Sequence, residues 1–347
     1  MNMVETLEID NFEKVVALRD PTTGYRGIIA IHSSRLGPAI GGTRFWNYPS
    51  EDEALADVLR LARGMTYKNA AAGLPLGGGK AVIIGEASGA DRHAWFRAHG
   101  RFIDHFQGRF ITGEDVGTSP ADMEVAAQET RFVAGFAGRG GDPSPWTARG
   151  VLRGIQASAR QRWGSDDLSG RTVAIQGCGN VGFALARLLT EVGARLVVTD
   201  VDTARAMACA QSCDATVVSS EDIYDTVADV FAPCALGGIL NEGTIPRLRT
   251  AIVAGAANNQ LRTASDALAL AARGILYAPD FILNAGGIIS GGVYLLGESL
   301  AQLDRRVAGI YDTLLSVYHL AEREKVTTAA AAEAYAEQIL HGTSAPT

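Results

Sequence analysis

The sequence predicts a two-domain α/β protein whose second domain is a doubly wound parallel sheet. Three observations carry that prediction. The chain has 347 residues, which at roughly 150 residues per domain makes about two domains. From Arg171 onward, short β-branched runs alternate with helical stretches, the mark of repeated βα units. Between the halves, Gly138–Gly150 (GRGGDPSPWTARG) concentrates glycine and proline, as an interdomain hinge does.

Each half can be justified in order. GYRGIIAIHS and GPAIGGTRFW read as strands, rich in Ile and broken by Gly. Ser50 caps a helix and Glu53 completes its capping box, while Leu55, Val58, Leu59, Ala62 and Met65 recur at helical spacing. AVIIG reads as a strand, His93–His105 as a helix, and GRFITGED as a strand ending in acids. Beyond the hinge, RTVAIQG, RLVVTD, ATVVSS, DVFAPC, AIVAGA and GILYAP are the strand candidates. The tail from about Leu303 is helical, interrupted at Thr327-Thr328.

Composition excludes several classes. Hydrophobic residues make up 47% and charged residues 20%, a globular mix. A formal net charge of −7 lacks the basic footprint that nucleic-acid binding requires. There is no apolar run long enough to span a bilayer and no signal core at the N-terminus, so no membrane association is expected. Cys178, Cys209, Cys213 and Cys234 form no CxxC pair and read as reduced thiols in a cytoplasmic protein. The six histidines show no metal-ligand spacing, and no metal is expected.

Gly177-Cys-Gly179-Asn180-Val181-Gly182 follows an apolar strand and opens a helix, the context a dinucleotide fingerprint needs. Gly177 permits the turn, Gly179 lets a pyrophosphate approach the backbone, and Gly182 packs helix on strand. Asp200 ends the next strand, where an acid bonds a ribose hydroxyl and repels a 2′-phosphate. NAD is thereby favoured over NADP, and Arg205 weakens the preference only slightly. Gly77-Gly-Gly79-Lys80 fails the P-loop template, because Leu74 replaces the first Gly and Ala81 follows the lysine. The glycines are expected instead to let a substrate approach Lys80. Confinement, with Lys68 as a second cation, would lower the Lys80 pKa toward that of a base.

GPAIGGTR, RLARGMTYKNAAAGLPLGGGK, TGEDVGT, GCGNVG, FAPCALGG, GAANNQ and YAPDFILNAGG together resemble the leucine/phenylalanine/valine dehydrogenases, shorter relatives of glutamate dehydrogenase. The resemblance spans roughly residues 10 to 340 with the motif spacing kept. It implies a substrate-binding and oligomerisation domain at 1–145, joined by the tail 326–347, and a Rossmann-type NAD domain at 146–325. The active site is expected in the cleft between them, in a homo-oligomer.

The implied reaction is reversible oxidation of an L-amino acid by NAD to a 2-oxo acid and ammonia. In it Lys68 binds the substrate carboxylate, Lys80 is the general base, and Asp115 holds the amino group and exchanges its protons. Asn258 meets the nicotinamide side, Asn284 touches both substrate and cofactor, and Thr147 is a candidate for the carboxamide. Glu114 is expected to point away from Asp115 by strand alternation.

The resemblance also bears on side-chain choice. Ile40, with Gly41 beside it, stands where glutamate dehydrogenases place a lysine, so a substrate carboxylate would go unpaired. Gly113, Ile288 and Gly291 line the rest. Gly113 and Gly291 stand where leucine dehydrogenases tend to carry Ala and Val, and Gly113 matches phenylalanine and tryptophan dehydrogenases. A bulky, phenylalanine-like substrate is expected, with leucine accepted. RLARGMTYKNAAAG and DPSP look closer to leucine dehydrogenases. Ser290 and Trp146 depart from the relatives, and Trp146 either fills part of that space or packs on the cofactor. Two rivals differ in kind: a dinucleotide-binding protein without catalysis, against which Lys68, Lys80 and Asp115 speak, and a reductive aminase of an unusual 2-oxo acid.

Overall fold

The computed structural model describes residues 3–86, 91–135 and 142–342. Its contacts divide into two compact units. One runs to Asp142 and includes Tyr294–Leu296 and Leu340–Gly342; the other takes Pro143–Val293 and Gly297–Ile339.

The first unit is built on a mixed sheet. Its strands are β1 (Met3–Leu7), β2 (Lys14–Asp20), β3 (Tyr25–Ser33), β4 (Ala39–Ile40), β5 (Thr43–Trp46), β6 (Gly77–Ile84) and β7 (Phe110–Ile111). Their order is β1-β2-β3-β6-β4-β7, with β5 also on β6. Helix α1 (Glu51–Ala71) covers one face, and α2 (Arg92–Asp104) with α3 (Pro120–Ala126) covers the other. Strand alternation explains the sandwich. Val15, Ile28 and Val82 join the core under α1, while their neighbours Val16, Ile29 and Ile83 join the aromatic core with Trp95, Phe96 and Phe102. Every position of β6 is buried, as a central strand covered on both faces requires. Ser50 caps α1 by accepting from the Glu53 amide, and Asp91 caps α2 by accepting from the Ala94 amide.

One sequence expectation changes here and another is extended. The strand GRFITGED shortens to β7, because the chain beyond it turns at Asp115–Thr118 and follows β5 only through isolated bridges. The glycines of GGGK form the start of β6, and they also serve packing within the first unit. A side chain on Gly78 would meet the Thr66 amide nitrogen at 2.0 Å, and one on Gly41 would meet the Gly79 carbonyl oxygen at 1.8 Å. The glycines thus let α1 and the β4–β5 segment approach β6.

The second unit holds six parallel strands: β8 (Thr172–Gln176), β9 (Arg195–Thr199), β10 (Thr216–Val217), β11 (Val230–Pro233), β12 (Ile252–Val253) and β13 (Leu276–Tyr277). Their order is β10-β9-β8-β11-β12-β13, with the reversal between β8 and β11. This is the order of a dinucleotide fold, whose ligands bind at the carboxyl ends beside that reversal. The helices are α4 (Ser144–Trp163), α5 (Asn180–Glu191), α6 (Thr203–Cys213), α7 (Ala264–Ala272), α8 (Asp280–Leu283), α9 (Gly286–Leu295), α10 (Leu300–Ala308), α11 (Ile310–Glu324) and α12 (Thr328–His341). Of the expected hinge, Gly138–Gly141 lie outside the described residues, and Ser144–Gly150 are the first turns of α4. The tail also divides differently from the expected 326–347 boundary. Thr328 donates its hydroxyl hydrogen to the Tyr277 carbonyl at 2.7 Å, and Ala329 packs on the second unit's core.

Candidate active site

In the first unit the loop after β7 runs beside β5. The Thr43 amide donates to Gly113 O at 2.8 Å and the Phe45 amide to Val116 O at 3.0 Å. Thr118 pins the turn, its hydroxyl accepting from the Asp115 amide at 2.8 Å. Arg44, between Thr43 and Phe45, projects from the opposite face of β5 from those two buried side chains and comes beside Asp115.

The Lys80 ammonium lies 3.0 Å from Asp115 Oδ2 and is buried at 6% exposure. Arg44 Nε reaches the same oxygen at 3.1 Å, while its Nη1 bonds Asp57 Oδ2 on α1 at 2.8 Å. Burial is the largest influence on Lys80 and lowers its pKa; Asp115 opposes this and Arg44 reinforces it. For Asp115, burial works to raise the pKa, but Lys80 and Arg44 outweigh it and hold the carboxyl below its ordinary range. The like charge expected of Lys68 is therefore supplied at least in part by Arg44.

Lys68 sits half-buried in the last turn of α1, the helix packed on β6. Asn69 beside it donates to Gly77 O, fixing that turn. Ile40 is buried in β4, and the Gly41 amide donates to Ile111 O at 3.2 Å. A side chain on Gly113 would touch Ala134 O at 3.4 Å, an ordinary contact. Glu114 is exposed, while Asp115 is partly buried.

In the second unit Gly177 takes φ +101°, and a side chain on Gly182 would meet Gly177 O at 1.9 Å. Gly179 has nothing within 4 Å of where a side chain would begin, and no side chain caps α5, so Asn180 and Val181 open the helix toward free space. Asp200 accepts the Cys178 amide on Oδ2 at 2.7 Å and the Asp202 amide on Oδ1 at 2.9 Å. Arg205 pairs with Asp202 at 3.4 Å. Buried Asn284 donates to Asn258 Oδ1 at 2.7 Å and to Ala256 O at 3.0 Å. Thr147 donates to Pro143 O at 3.0 Å in the first turn of α4, and the Arg149 guanidinium lies over the Trp146 ring at 5.0 Å. Ile288 is half-buried on α9, and Gly291 on the same helix borders open space.

Residues 12–132 match the family model of the Glu/Leu/Phe/Val dehydrogenase dimerisation domain, and residues 142–209 and 197–338 match that of the glutamate/leucine/phenylalanine/valine dehydrogenases. The chain belongs to this family. It is 48% identical to the leucine dehydrogenase of Geobacillus stearothermophilus over 97% of this chain and 93% of that enzyme. It is 44% identical to the phenylalanine dehydrogenase of Caldalkalibacillus thermarum over 98% of this chain and 94% of that one. The crystal structure of L-tryptophan dehydrogenase from Nostoc punctiforme superposes with a TM-score of 0.87 at 45% identity, covering 96% of each chain.

As a family member the chain is an amino acid dehydrogenase, an oxidoreductase acting on a CH–NH2 bond, and its cofactor is NAD. The second unit suits that cofactor. The first amides of α5 have no side-chain cap and lie beside the open space at Gly179, as a helix start that receives a phosphate requires, and Asp200 directly follows β9. Sequence reasoning gave no role to Arg44 and Asp57, although Arg44 lies within GPAIGGTR. The available signal was local: alternation in TRFW puts Arg44 on the face opposite buried Thr43 and Phe45.

Proposed function

We propose that this enzyme oxidatively deaminates an apolar L-amino acid, favouring phenylalanine-like or other bulky side chains and accepting leucine. The observation that carries the chemistry is the buried Lys80–Asp115 pair. One side chain there is an amine with a lowered pKa, the other a carboxylate held anionic beside it.

NAD, when bound, supplies the hydride acceptor. Lys68 holds the substrate carboxylate as a point charge. Loss of a hydride from Cα of the substrate in its neutral-amine form leaves an iminium. Neutral Lys80 takes a proton from the water whose oxygen attacks the iminium carbon. Asp115 holds the nitrogen and relays to it the proton that Lys80 took from water; the new hydroxyl then gives its proton to Lys80 as ammonia departs, leaving the 2-oxo acid. Asn284 orients the substrate together with Asn258, Thr147 receives the carboxamide, and Gly177, Gly179, Asn180, Val181, Gly182 and Asp200 hold the dinucleotide. Ile40 offers no partner for a second carboxylate. The open space beside Gly291 supports a large side chain, with Gly41, Gly113 and Ile288 as the other residues facing it in this reading.

The 48% identity to a leucine dehydrogenase favours a second reading, a branched-chain preference. We also propose a homo-oligomer, supported by the match of residues 12–132 to a dimerisation domain and measurable by light scattering. NADH formation with each of the twenty L-amino acids tests the substrate. A maximum at phenylalanine or tryptophan supports the bulky-substrate reading, and one at leucine, isoleucine or valine replaces it. Silence with all twenty refutes both and points to an unusual 2-oxo acid reduced with ammonia.

A further inference from the structure

We propose that Arg44 is the positioning residue of the Lys80–Asp115 pair, holding the carboxylate in place through the base's proton cycle. The inference rests on the reading of Lys80 as that base. Arg44 Nε and Lys80 Nζ share one oxygen, Asp115 Oδ2, at 3.1 and 3.0 Å. Arg44 is anchored in turn. Its Nη1 bonds Asp57 Oδ2 at 2.8 Å, and Asp57 also accepts from the Tyr48 hydroxyl and from Arg60 Nη2, each at 2.8 Å.

The chemistry needs such a partner. Lys80 is buried and Asp115 partly so, and neutralising the lysine alone would leave the carboxylate without a counter-charge. A guanidinium does not deprotonate in a protein, so Arg44 keeps Asp115 paired whether Lys80 is charged or neutral. The charged groups around Lys80 act consistently. Asp115 from the loop after β7 and Asp57 from α1 favour its protonated form, and Arg44 from β5 opposes them. Arg60 and Lys68 also come from α1, Tyr48 from the segment before α1 and Glu114 from the Asp115 loop, while β3 presents Ala30 at the paired position.

The test compares pH profiles of kcat/KM for Arg44→Gln and Arg44→Lys with wild type, using the best amino acid from the substrate screen. NADH affinity by fluorescence serves as the control. Arg44→Gln is expected to move the limb on which activity rises with pH upward by about one unit. Activity below the limb then falls about tenfold and recovers above it. Arg44→Lys keeps a charge without the fork and moves the limb less. NADH affinity stays within about twofold in both, because the fingerprint belongs to the other unit. A uniform loss at every pH, with the limb unmoved, would make Arg44 a structural staple and overturn the proposal. If Arg44→Gln fails to fold, Arg44→Met carries the same test, and a limb at the wild-type position there overturns the proposal. Lys80→Gln separates the two readings. If it keeps the wild-type limb, the assignment of the base fails; if it is inactive while the Arg44 variants leave the limb in place, only the Arg44 inference fails.

Discussion

Lys80 sits within a strand whose every residue is buried, and that setting separates it from a surface lysine. On the proposed role of Lys80 as the base, its lowered pKa puts the expected activity limb below the ordinary lysine value of about 10.4. The sign of one change follows directly. Asp115 favours the ammonium, so Asp115→Asn removes that pull, and the limb should move to lower pH even as the maximal rate falls. Lys80→Ala should abolish turnover while NADH still quenches or enhances fluorescence on binding; loss of both together would mark Lys80 as structural. Substrate choice is also set residue by residue. Gly291 has free space beside it, so Gly291→Val fits without strain on its own helix and removes room from the substrate. The expected result is a swing in kcat/KM from phenylalanine toward leucine of about 10- to 200-fold, the worth of one or two methylene-sized spaces. An unchanged ratio would take Gly291 out of the specificity surface.

At the scale of elements, the contact of α1 with β6 depends on Gly78 having no side chain. Gly78→Ala would press a methyl into the backbone of Thr66, since the gap is 2.0 Å. A cost of about 1–3 kcal/mol is expected. For domains of this size each kcal/mol lowers Tm by about 2–4 °C. A thermal scan with Tm unchanged would show that the helix can step away freely. These contacts also explain what the sequence disclosed. The fingerprint was legible because strand, turn and helix are contiguous, and Gly182 answers to the Gly177 carbonyl within the same turn. The α1 cap at Ser50 was legible for the same reason. Arg44 was not, because its two carboxylates arrive from Asp57 and Asp115, brought together only by the sheet. The tight packing of GGGK was hidden likewise, since Thr66 and Gly41 meet those glycines only after α1 and β4 dock. GRFITGED looked like a full strand because periodicity cannot register the turn that Thr118 closes.

For the molecule as a whole, each unit has its own core, and the fingerprint belongs wholly to the second. A ligand that binds only the native second unit should raise its stability by about 2.7 kcal/mol at a hundredfold excess over Kd. Calorimetry with NADH should show the transition carrying the second unit move upward. An equal concentration of NADPH should move it less, because the Asp200 carboxylate repels a 2′-phosphate. A larger shift with NADPH would overturn the assignment of Asp200. That same carboxylate also grips the Cys178 and Asp202 amides. Redesign toward the phosphorylated cofactor therefore cannot treat position 200 as a charge to be erased. Alanine there would free both amides as well as remove the repulsion, and asparagine, with a single acceptor oxygen, would hold only one of them, so a successful swap has to supply the second acceptor from elsewhere in the loop.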